Sequence, residues 1–256
     1  MIPLRDSIPS RTTPIVNYAI IAICSLAFLL QLSANDGGNL IVEQYGMVPL
    51  RLSDPRATPV IEYQQAVMTP RGVVTEVQKH ELAPAAVAPW MTLVTCMFLH
   101  GGWMHFLGNV WFLYVFGDNV EDRLGHVGFA LLYLGTGVLA GAAHYFSGPQ
   151  SPVPTIGASG AIAGVMGAYA FLFPHARVLA VLPLVIIIQT FVLPASVFLG
   201  IWFLIQTFSG ISAAASGAAG GVAWWAHIGG FVAGLLVGAV VGRSSDARHQ
   251  VHEHRF

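Results

Sequence analysis

The feature that most constrains this chain is the distribution of its charged residues, because long stretches contain none. No Asp, Glu, Lys or Arg occurs between Arg11 and Asp36, between Glu81 and Asp118, between Arg123 and Arg177, or between Arg177 and Arg243. A helix that spans a membrane needs about 20 mostly apolar residues. The first two gaps have room for one span each, and the last two for a helical hairpin each. We therefore expect an all-α polytopic membrane protein with six transmembrane helices.

The composition agrees with this expectation and excludes other classes. Of 256 residues, 55% are hydrophobic and 9% are charged, and the mean hydropathy is +0.68, values outside the range of an ordinary soluble domain. The net charge of -1 gives no electrostatic support for nucleic-acid binding. The spacing of Cys24 and Cys96 indicates neither a metal site nor a disulfide framework. The opening MIPLRDSIPSRTTP is too polar and proline-rich for a cleaved signal peptide, so the first apolar run is expected to be a retained helix.

Six apolar segments are candidate spans, at residues 15–32, 103–116, 127–146, 156–173, 178–208 and 217–241. The second is short, and its helix is expected to extend past both ends. The fifth is too long for one span and contains Pro183 and Pro194, so a tilt or kink is expected. The predicted domains are an N-terminal segment (1–14), a membrane domain (15–242) and a tail (243–256). A long first loop within the membrane domain (33–89) mixes apolar runs with charge and proline, and is expected to be partly embedded in the membrane interface.

Cations in the short connections predict the orientation of the domain. They occur before the first span, between the second and third, between the fourth and fifth, and after the sixth, at Arg5, Arg11, Arg123, Arg177, Arg243, Arg248 and Arg255. The connections 147–155 and 209–216 contain no cation. Because cytoplasmic connections carry the excess of Lys and Arg, both termini are predicted to be cytoplasmic and residues 33–89 to form the first external loop.

Four of the polar residues inside the predicted spans are conspicuous, and polar side chains there are costly and usually functional. His105 and Asn109 belong to the second span, Ser159 to the fourth and His227 to the sixth. These three spans all run from outside to inside. His105, Asn109 and Ser159 come early in their spans, and His227 comes about ten residues along its span. At about 1.5 Å per residue, all four side chains are expected in the outer half of the membrane.

Glycines predict that two of these helices pack closely. Gly160 and Gly164 form a small-residue face on the fourth span, and Gly230 and Gly234 begin a longer one on the sixth. Ser159 precedes the first face and His227 the second, so packing the two faces together brings a hydroxyl near an imidazole. Such a pair is the minimum for a serine nucleophile with a general base. Taken alone, a serine between glycines is more often simple packing between helices.

Acyl transfer also needs donors for the oxyanion that develops on the substrate carbonyl. Asn109 offers an amide N–H and His105 a ring N–H, and the two lie four residues apart on one helical face. The backbone N–H of Ser159 is a further donor at the start of a helix. No Asp or Glu occurs from Leu124 to Gly242, so a carboxylate to complete a triad is absent, a loss that costs about 10⁴ in kcat in chymotrypsin.

At these residues the chain resembles the rhomboid family of intramembrane serine proteases, and its prokaryotic members in particular. Three segments carry the resemblance: FLHGGWMHFLGNVWFLYVFGDNVEDRLG (98–125), GASGAIAGVMGA (157–168) and AHIGGFVAG (226–234). The resemblance implies a rhomboid-like six-helix fold in the bacterial inner (cytoplasmic) membrane, with an active site that opens to the outer face. It also implies that the first loop forms an embedded lip and that residues 209–216 form a cap over the site.

By this resemblance, Ser159 is the nucleophile and His227 is the general base and acid. The backbone N–H of Ser159 would form the oxyanion hole with His105 and Asn109. Structural roles fall to Gly157, Gly160, Glu121, Arg123, Gly230 and Gly234. The implied activity is cleavage of transmembrane or membrane-adjacent segments of other membrane proteins, within membrane lipid and through an acyl-enzyme. No metal or organic cofactor and no particular oligomeric state is implied.

The sequence departs from the family at one position near the serine, which leaves an alternative open. Many members carry an aromatic residue four positions after the serine, against the catalytic histidine, whereas this chain has Ala163. Trp224 and Phe231 are candidates to replace that contact. The alternative is a non-catalytic rhomboid-like pseudoprotease that binds membrane helices, but such proteins usually lack the serine or the histidine. A small transporter is disfavoured because no charged residue lines the spans.

Overall fold

The structure, a computed structural model, describes residues 1–69, 72–184, 187–216 and 223–253. Two 3-10 turns, Pro89–Met91 and Cys96–Phe98, flank a short helix at Thr92–Thr95. The helices and strands are, in chain order, β1 (Ile2–Asp6), α1 (Ile15–Ser33), α2 (Asn39–Tyr45), α3 (Pro49–Ser53), β2 (Val60–Thr69), β3 (Gly72–Glu81), α4 (Thr92–Thr95), α5 (Trp103–Ser147), α6 (Ser159–Leu172), β4 (Arg177–Leu184), β5 (Ile187–Pro194), α7 (Ala195–Ser216) and α8 (Trp224–Glu253).

The fold is mostly helical, and its long helices are apolar. Within the described part of the chain, three helices are long and apolar enough to cross a membrane: α1, α5 and the Trp224–Gly242 part of α8. The apolar helix α6 and the apolar Ala195–Ser209 part of α7 are shorter. Gly125, with a φ of 72° and a ψ of 166°, interrupts α5 and divides it into two helical pieces. This kink separates the two segments that the sequence predicts as the second and third spans.

Helix α6 forms the centre of the core. Every residue from Gly160 to Tyr169 is buried, and this segment consists largely of glycine and alanine. Small side chains let the neighbouring helices α5 and α8 approach the α6 backbone closely. The first residue of α6 is Ser159, so the most enclosed helix of the protein presents this hydroxyl at its N-terminal end.

The predicted fifth span is wrong in its first half. Residues 178–208 were expected to be one long, tilted or kinked helix, but β4 and β5 form an antiparallel hairpin and α7 begins only at Ala195. Strand β1 pairs antiparallel with the other edge of β4, with Ile2 opposite Val181 and Asp6 opposite Val178. A continuous apolar run does not by itself distinguish a strand from a buried helix. The many β-branched residues of this run favour the strand.

The first loop also contains a second hairpin that the sequence did not predict. Strands β2 and β3 pair from Val60 with Glu81 to Thr69 with Gly72. The predicted class "all-α" is therefore corrected to a mostly helical fold with two small antiparallel sheets. Helix α8 continues beyond its apolar part, Trp224–Gly242, to Glu253.

Glu121 ties α1 to the kinked helix α5. Its carboxylate is fully buried and accepts hydrogen bonds from the backbone N–H groups of Val16 at 2.9 Å and Asn17 at 2.7 Å. Helix α1 follows Pro14 and has no side-chain cap from its own N-cap residue. The first N–H groups of a helix need acceptors, and Glu121 supplies them from α5. Nδ1 of His126 lies 2.5 Å from the same carboxylate.

Candidate active site

The hydroxyl of Ser159 and the imidazole of His227 are in contact. Oγ of Ser159 lies 2.7 Å from Nε2 of His227, within the usual range for a hydrogen bond. Ser159 is the first residue of α6 and His227 lies in the first turn of α8. His227 is buried, with 8% of its surface exposed. The structure therefore brings together the two side chains that the sequence selects as nucleophile and base.

Glycine contacts explain why α6 and α8 come this close. A Cβ atom on Gly230 would clash with the carbonyl oxygen of Gly160, and one on Gly234 would clash with that of Gly164. Both glycine faces predicted from the sequence therefore lie in the same helix–helix interface. Any side chain at these positions would push the helices apart, and the separation of Ser159 from His227 would grow with it.

The turn before α6 is held from two directions. Gly157 has a φ of +126°, a conformation that favours glycine, and its N–H donates to the carbonyl of Cys96 at 2.9 Å. Two residues earlier, Thr155 exchanges two backbone hydrogen bonds with Met47, at 3.0 and 2.7 Å. These contacts anchor the segment leading to Ser159 on the first loop and on the turn before α5.

Gly157 also leaves open space between Ser159 and His105. A Cβ atom built on Gly157 would lie 2.6 Å from Nε2 of His105 and 3.6 Å from Oγ of Ser159. Nδ1 of His105 accepts a hydrogen bond from the N–H of Gly101 at 3.2 Å. A neutral imidazole has one donor and one acceptor nitrogen. Nε2 of His105 is therefore the donor, and it faces the space over Gly157.

His100 packs against the ring of His105, a role that the sequence did not indicate. Its backbone N–H donates to the side-chain oxygen of Gln31, and its carbonyl accepts from the Gln31 amide, both at 3.0 Å. Its ring meets the His105 ring edge-on at 5.4 Å and is 2% exposed as a residue. Burial, together with the neighbouring His105, lowers the pKa of His100 to about 4. The imidazole of His100 is thus uncharged at neutral pH and lines the site beside His105.

Asn109 lies one helical turn after His105 on α5 and is buried. Its Nδ2 is inaccessible to solvent and has no hydrogen-bond acceptor among the residues that the structure describes. Buried amides are normally paired, because a lost hydrogen bond is costly. An amide donor left open next to His105 is suited to an acceptor that arrives with a ligand.

Aromatic rings and one amide surround His227. Trp202 lies 5.9 Å away and Trp224 meets the ring edge-on at 6.2 Å, both measured between ring centroids. Nδ1 of His227 lies 2.7 Å from the side-chain oxygen of Gln206. Phe231, the second sequence candidate for this contact, packs instead on Trp202 and Phe203.

Trp202 and Gln206 are the residues that sequence reasoning missed. They lie four residues apart on α7, hence on one face, and a glutamine within an apolar segment is itself a signal of function. A carboxylate is the usual third member of a catalytic triad, whereas the side chain found beside His227 is the amide of Gln206. Residues 209–216, expected as a cap, continue α7 to Ser216, and residues 217–222 lie outside the described part of the chain.

The remaining structural predictions concern the middle of α5, just before the kink at Gly125. Glu121 caps α1 as described above, and Arg123 follows two residues later on the same helix. Within the described ranges, no group of three or more His, Cys, Asp or Glu side chains is arranged to hold a metal ion. The chemistry that the arrangement can support is that of a hydroxyl, an imidazole and nearby N–H donors.

The fold and the site define a class: mostly helical membrane proteins with a serine–histidine pair between two helix N-termini. Residues 88–244 match the family model of the Rhomboid domain. This match covers more than half of the chain, which therefore belongs to the rhomboid family and is an integral membrane protein.

Named relatives agree with this assignment. Rhomboid-like protein 11, chloroplastic, of Arabidopsis thaliana is 42% identical over 76 residues, 30% of this chain and 27% of the relative. The putative rhomboid protease YdcA of Bacillus subtilis (strain 168) is 37% identical over 83 residues, 32% and 41% of the two chains. Rhomboid protein 1, mitochondrial, of Saccharomyces cerevisiae is 28% identical over 168 residues, 62% and 44% of the two chains. The chain thus spans less than half the length of these relatives.

Proposed function

We propose that this protein is an intramembrane serine endopeptidase that cleaves transmembrane or membrane-adjacent segments of other membrane proteins. The observation that carries the proposal is the 2.7 Å contact between Oγ of Ser159 and Nε2 of His227. Membership of a family whose relatives include proteins named rhomboid proteases supports it. The departure at Ala163 is offset by Trp202 and Trp224, whose rings lie beside that of His227.

The proposed reaction follows the general scheme of acyl transfer. Oγ of Ser159 attacks the scissile carbonyl carbon while its proton moves to Nε2 of His227. The C–N bond then breaks, the same proton passes to the leaving amine nitrogen, and the acyl group remains on Ser159 as an ester. Water attacks this ester after giving a proton to Nε2, and the proton returns to Oγ when the acid product leaves.

The oxyanion would sit over Gly157. The absence of a side chain there leaves space bordered by Nε2 of His105 and by the hydroxyl of Ser159. His105 presents a donor nitrogen to that space, Asn109 has a buried unpaired N–H among the described residues, and the backbone N–H of Ser159 starts α6. Donors aimed at a developing negative charge usually make the largest single contribution to catalysis.

We further propose six membrane spans, formed by α1, the two pieces of α5, α6, α7 and α8. With this count, the cation-rich short connections lie on one side and predict cytoplasmic termini. Ser159, at the start of α6, then lies near the outer face, where water can reach it. A substrate helix has to unwind before its backbone can be attacked, so we expect a preference for weakly helical segments.

Fluorophosphonate labelling of the purified protein tests the proposal. We expect labelling of the wild type and none of Ser159→Ala or His227→Ala. Ser151→Ala is a matched control, because Ser151 lies in the connection before α6 and its hydroxyl bonds only a local backbone N–H among the contacts described. An unlabelled but well-folded wild type would contradict the protease and favour the pseudoprotease that binds membrane helices.

A further inference from the structure

The catalytic scheme requires one particular tautomer of His227. For the hydroxyl of Ser159 to donate to Nε2, that nitrogen has to be unprotonated, and the proton of the neutral ring then has to sit on Nδ1. In solution an imidazole exchanges between both forms. A serine–histidine pair therefore works reliably only where a neighbouring acceptor holds the proton on Nδ1.

Gln206 offers that acceptor. Its side-chain oxygen lies 2.7 Å from Nδ1 of His227, which matches the 2.7 Å distance on the opposite side of the ring, from Nε2 to Ser159. Gln206 is buried on α7, with 9% of its surface exposed. The side chains form a continuous line from amide oxygen to imidazole to hydroxyl, with each of the three on a different helix.

Trp202 and Trp224 restrict the ring from its sides. Trp202 lies one turn before Gln206 on α7, and its ring is tilted by 41° to that of His227. Trp224 lies nearly perpendicular, at 89°. The two indoles limit rotation of the imidazole about its Cβ–Cγ bond, whereas only Gln206 distinguishes one ring nitrogen from the other. Packing and hydrogen bonding thus contribute separate restraints.

We infer that Gln206 is a positioning residue that holds His227 in the Nδ1-protonated form, in the position that a carboxylate takes in a serine protease triad. This inference rests on the proposed function. No Asp or Glu occurs from Leu124 to Gly242, and a buried carboxylate among apolar helices would carry a large desolvation cost. A neutral amide accepts the same hydrogen bond without placing a charge there.

The tautomer can be measured without any activity. We suggest solid-state NMR of the full-length protein, labelled with ¹⁵N-histidine and reconstituted in liposomes, with the His227 signals identified by their loss in His227→Gln. In the wild type at neutral pH we expect a protonated Nδ1 and an unprotonated Nε2. In Gln206→Leu, which keeps the volume but removes the acceptor, we expect the Nε2-protonated form to appear. A wild type with its proton on Nε2 would overturn the inference.

Labelling rates give the second readout. With a fluorophosphonate probe we expect Gln206→Leu to react roughly tenfold more slowly than the wild type, as for the loss of one hydrogen bond. Gln206→Glu retains an acceptor oxygen in either protonation state and should recover most of the rate. Thr207→Val is the matched control, since Thr207 bonds the carbonyl of Phe203 on its own helix, and its rate should be unchanged. Equal rates for Gln206→Leu and the wild type would contradict the inference.

The two measurements separate the inference from the proposed function. A wild type with a protonated Nδ1 that fails to react with the probe would contradict the protease but leave the role of Gln206 intact. A reactive wild type whose tautomer is unchanged by Gln206→Leu would contradict the role of Gln206 and leave the protease intact.

Discussion

At the C-terminal end of α6, polar side chains are paired, whereas at its N-terminal end several are not. The carboxylate of Asp6 accepts hydrogen bonds from the hydroxyl of Tyr169 and, at 2.7 Å, from the amide of Asn119. Near Ser159, by contrast, Nδ2 of Asn109 and both ring nitrogens of His100 are buried without a partner among the described residues. The paired region uses carboxylates and the open region uses imidazoles and amides.

This difference shows that polar groups in the same core have two roles, to fix the structure and to bind another molecule. Where carboxylates are buried, as at Glu121, or partly buried, as at Asp6, and their hydrogen bonds are made, the groups fix helix ends and strand positions. Where donors are held in place without an acceptor, the fold keeps binding capacity for another molecule at some cost in stability. The open region also avoids buried carboxylates, so its groups need no counter-ion in the unliganded protein.

The largest expected effect is on catalysis in the open region. Replacing Asn109 by Ala should raise the activation barrier by roughly 2 to 4 kcal/mol, because a donor to the oxyanion is lost, with folding intact. The rate of fluorophosphonate labelling measures this. Asn119→Ala is the matched control in the paired region and should lower the melting temperature but not the labelling rate. An unaltered rate for Asn109→Ala would remove this residue from the oxyanion hole.

The glycine interface should show the next largest effect. Gly234→Ala places a methyl group against the backbone of Gly164 and should destabilise the protein by about 1 to 3 kcal/mol, as overpacking does. Labelling should fall as well, since α8 carries His227. Gly135→Ala is the control, because a Cβ there meets nothing within 4 Å. Thermal unfolding in detergent measures both variants, and equal stability would show that the two helices are not in close contact.

His100 predicts a pH dependence that belongs to the open region. Its pKa is about 4 in the fold and about 6.5 when unfolded, so the unfolded chain binds more protons below pH 6.5. The contribution of neutral His100 to the free energy of unfolding is therefore fully present above pH 6.5 and is lost as the pH falls toward 4. At pH 5 about 2 kcal/mol of it is lost. His100→Phe should remove this contribution and so weaken the pH dependence by about 2 kcal/mol at pH 5, and the exposed His175→Phe should leave it unchanged. Melting temperatures at pH 7.5 and 5 test the sign.

The smallest expected effect is in the paired region. Glu121→Gln keeps the shape but removes the charge that accepts from the first turn of α1 and should cost about 1 to 2 kcal/mol of stability. Labelling of the folded fraction should not change, since Glu121 lies away from Ser159. A Glu121→Gln protein of normal stability but lower labelling would reverse the contrast between the two regions.

The sequence identifies the pair Ser159 and His227 that meet in the structure but not the two hairpins, and the reason lies in the type of signal. Polar residues in apolar spans are few, so Ser159 and His227 stand out, and glycine spacing indicates how their helices meet. Apolar residues in 178–194 are equally compatible with a strand or a helix, so the hairpin of β4 and β5 could be recognised only in the folded structure. The same holds for β2 and β3, which pair with each other within the first loop.

Gln206 illustrates the limit within the site. No sequence motif marks the glutamine on α7. It reaches His227 only because α7 lies beside α8, and that arrangement depends on the packing of Trp202 and Phe203 against Phe231. Such a residue is detected from the sequence only if any polar group within a span is taken as a candidate. The role of Glu121 as a cap for α1 likewise depends on a contact between residues 104 or 105 positions apart.

The pairing of β1 with β4 has a consequence for biogenesis. Ribosomes make Ile2–Asp6 long before Arg177–Leu184, so the first strand of the protein emerges without its neighbour. Its backbone groups depend on water or on a chaperone until the six helices from α1 to α6 and then β4 have been synthesised. Strand β1 is thus synthesised well before the strand that pairs with it, and this small sheet can close only after β4 has been made.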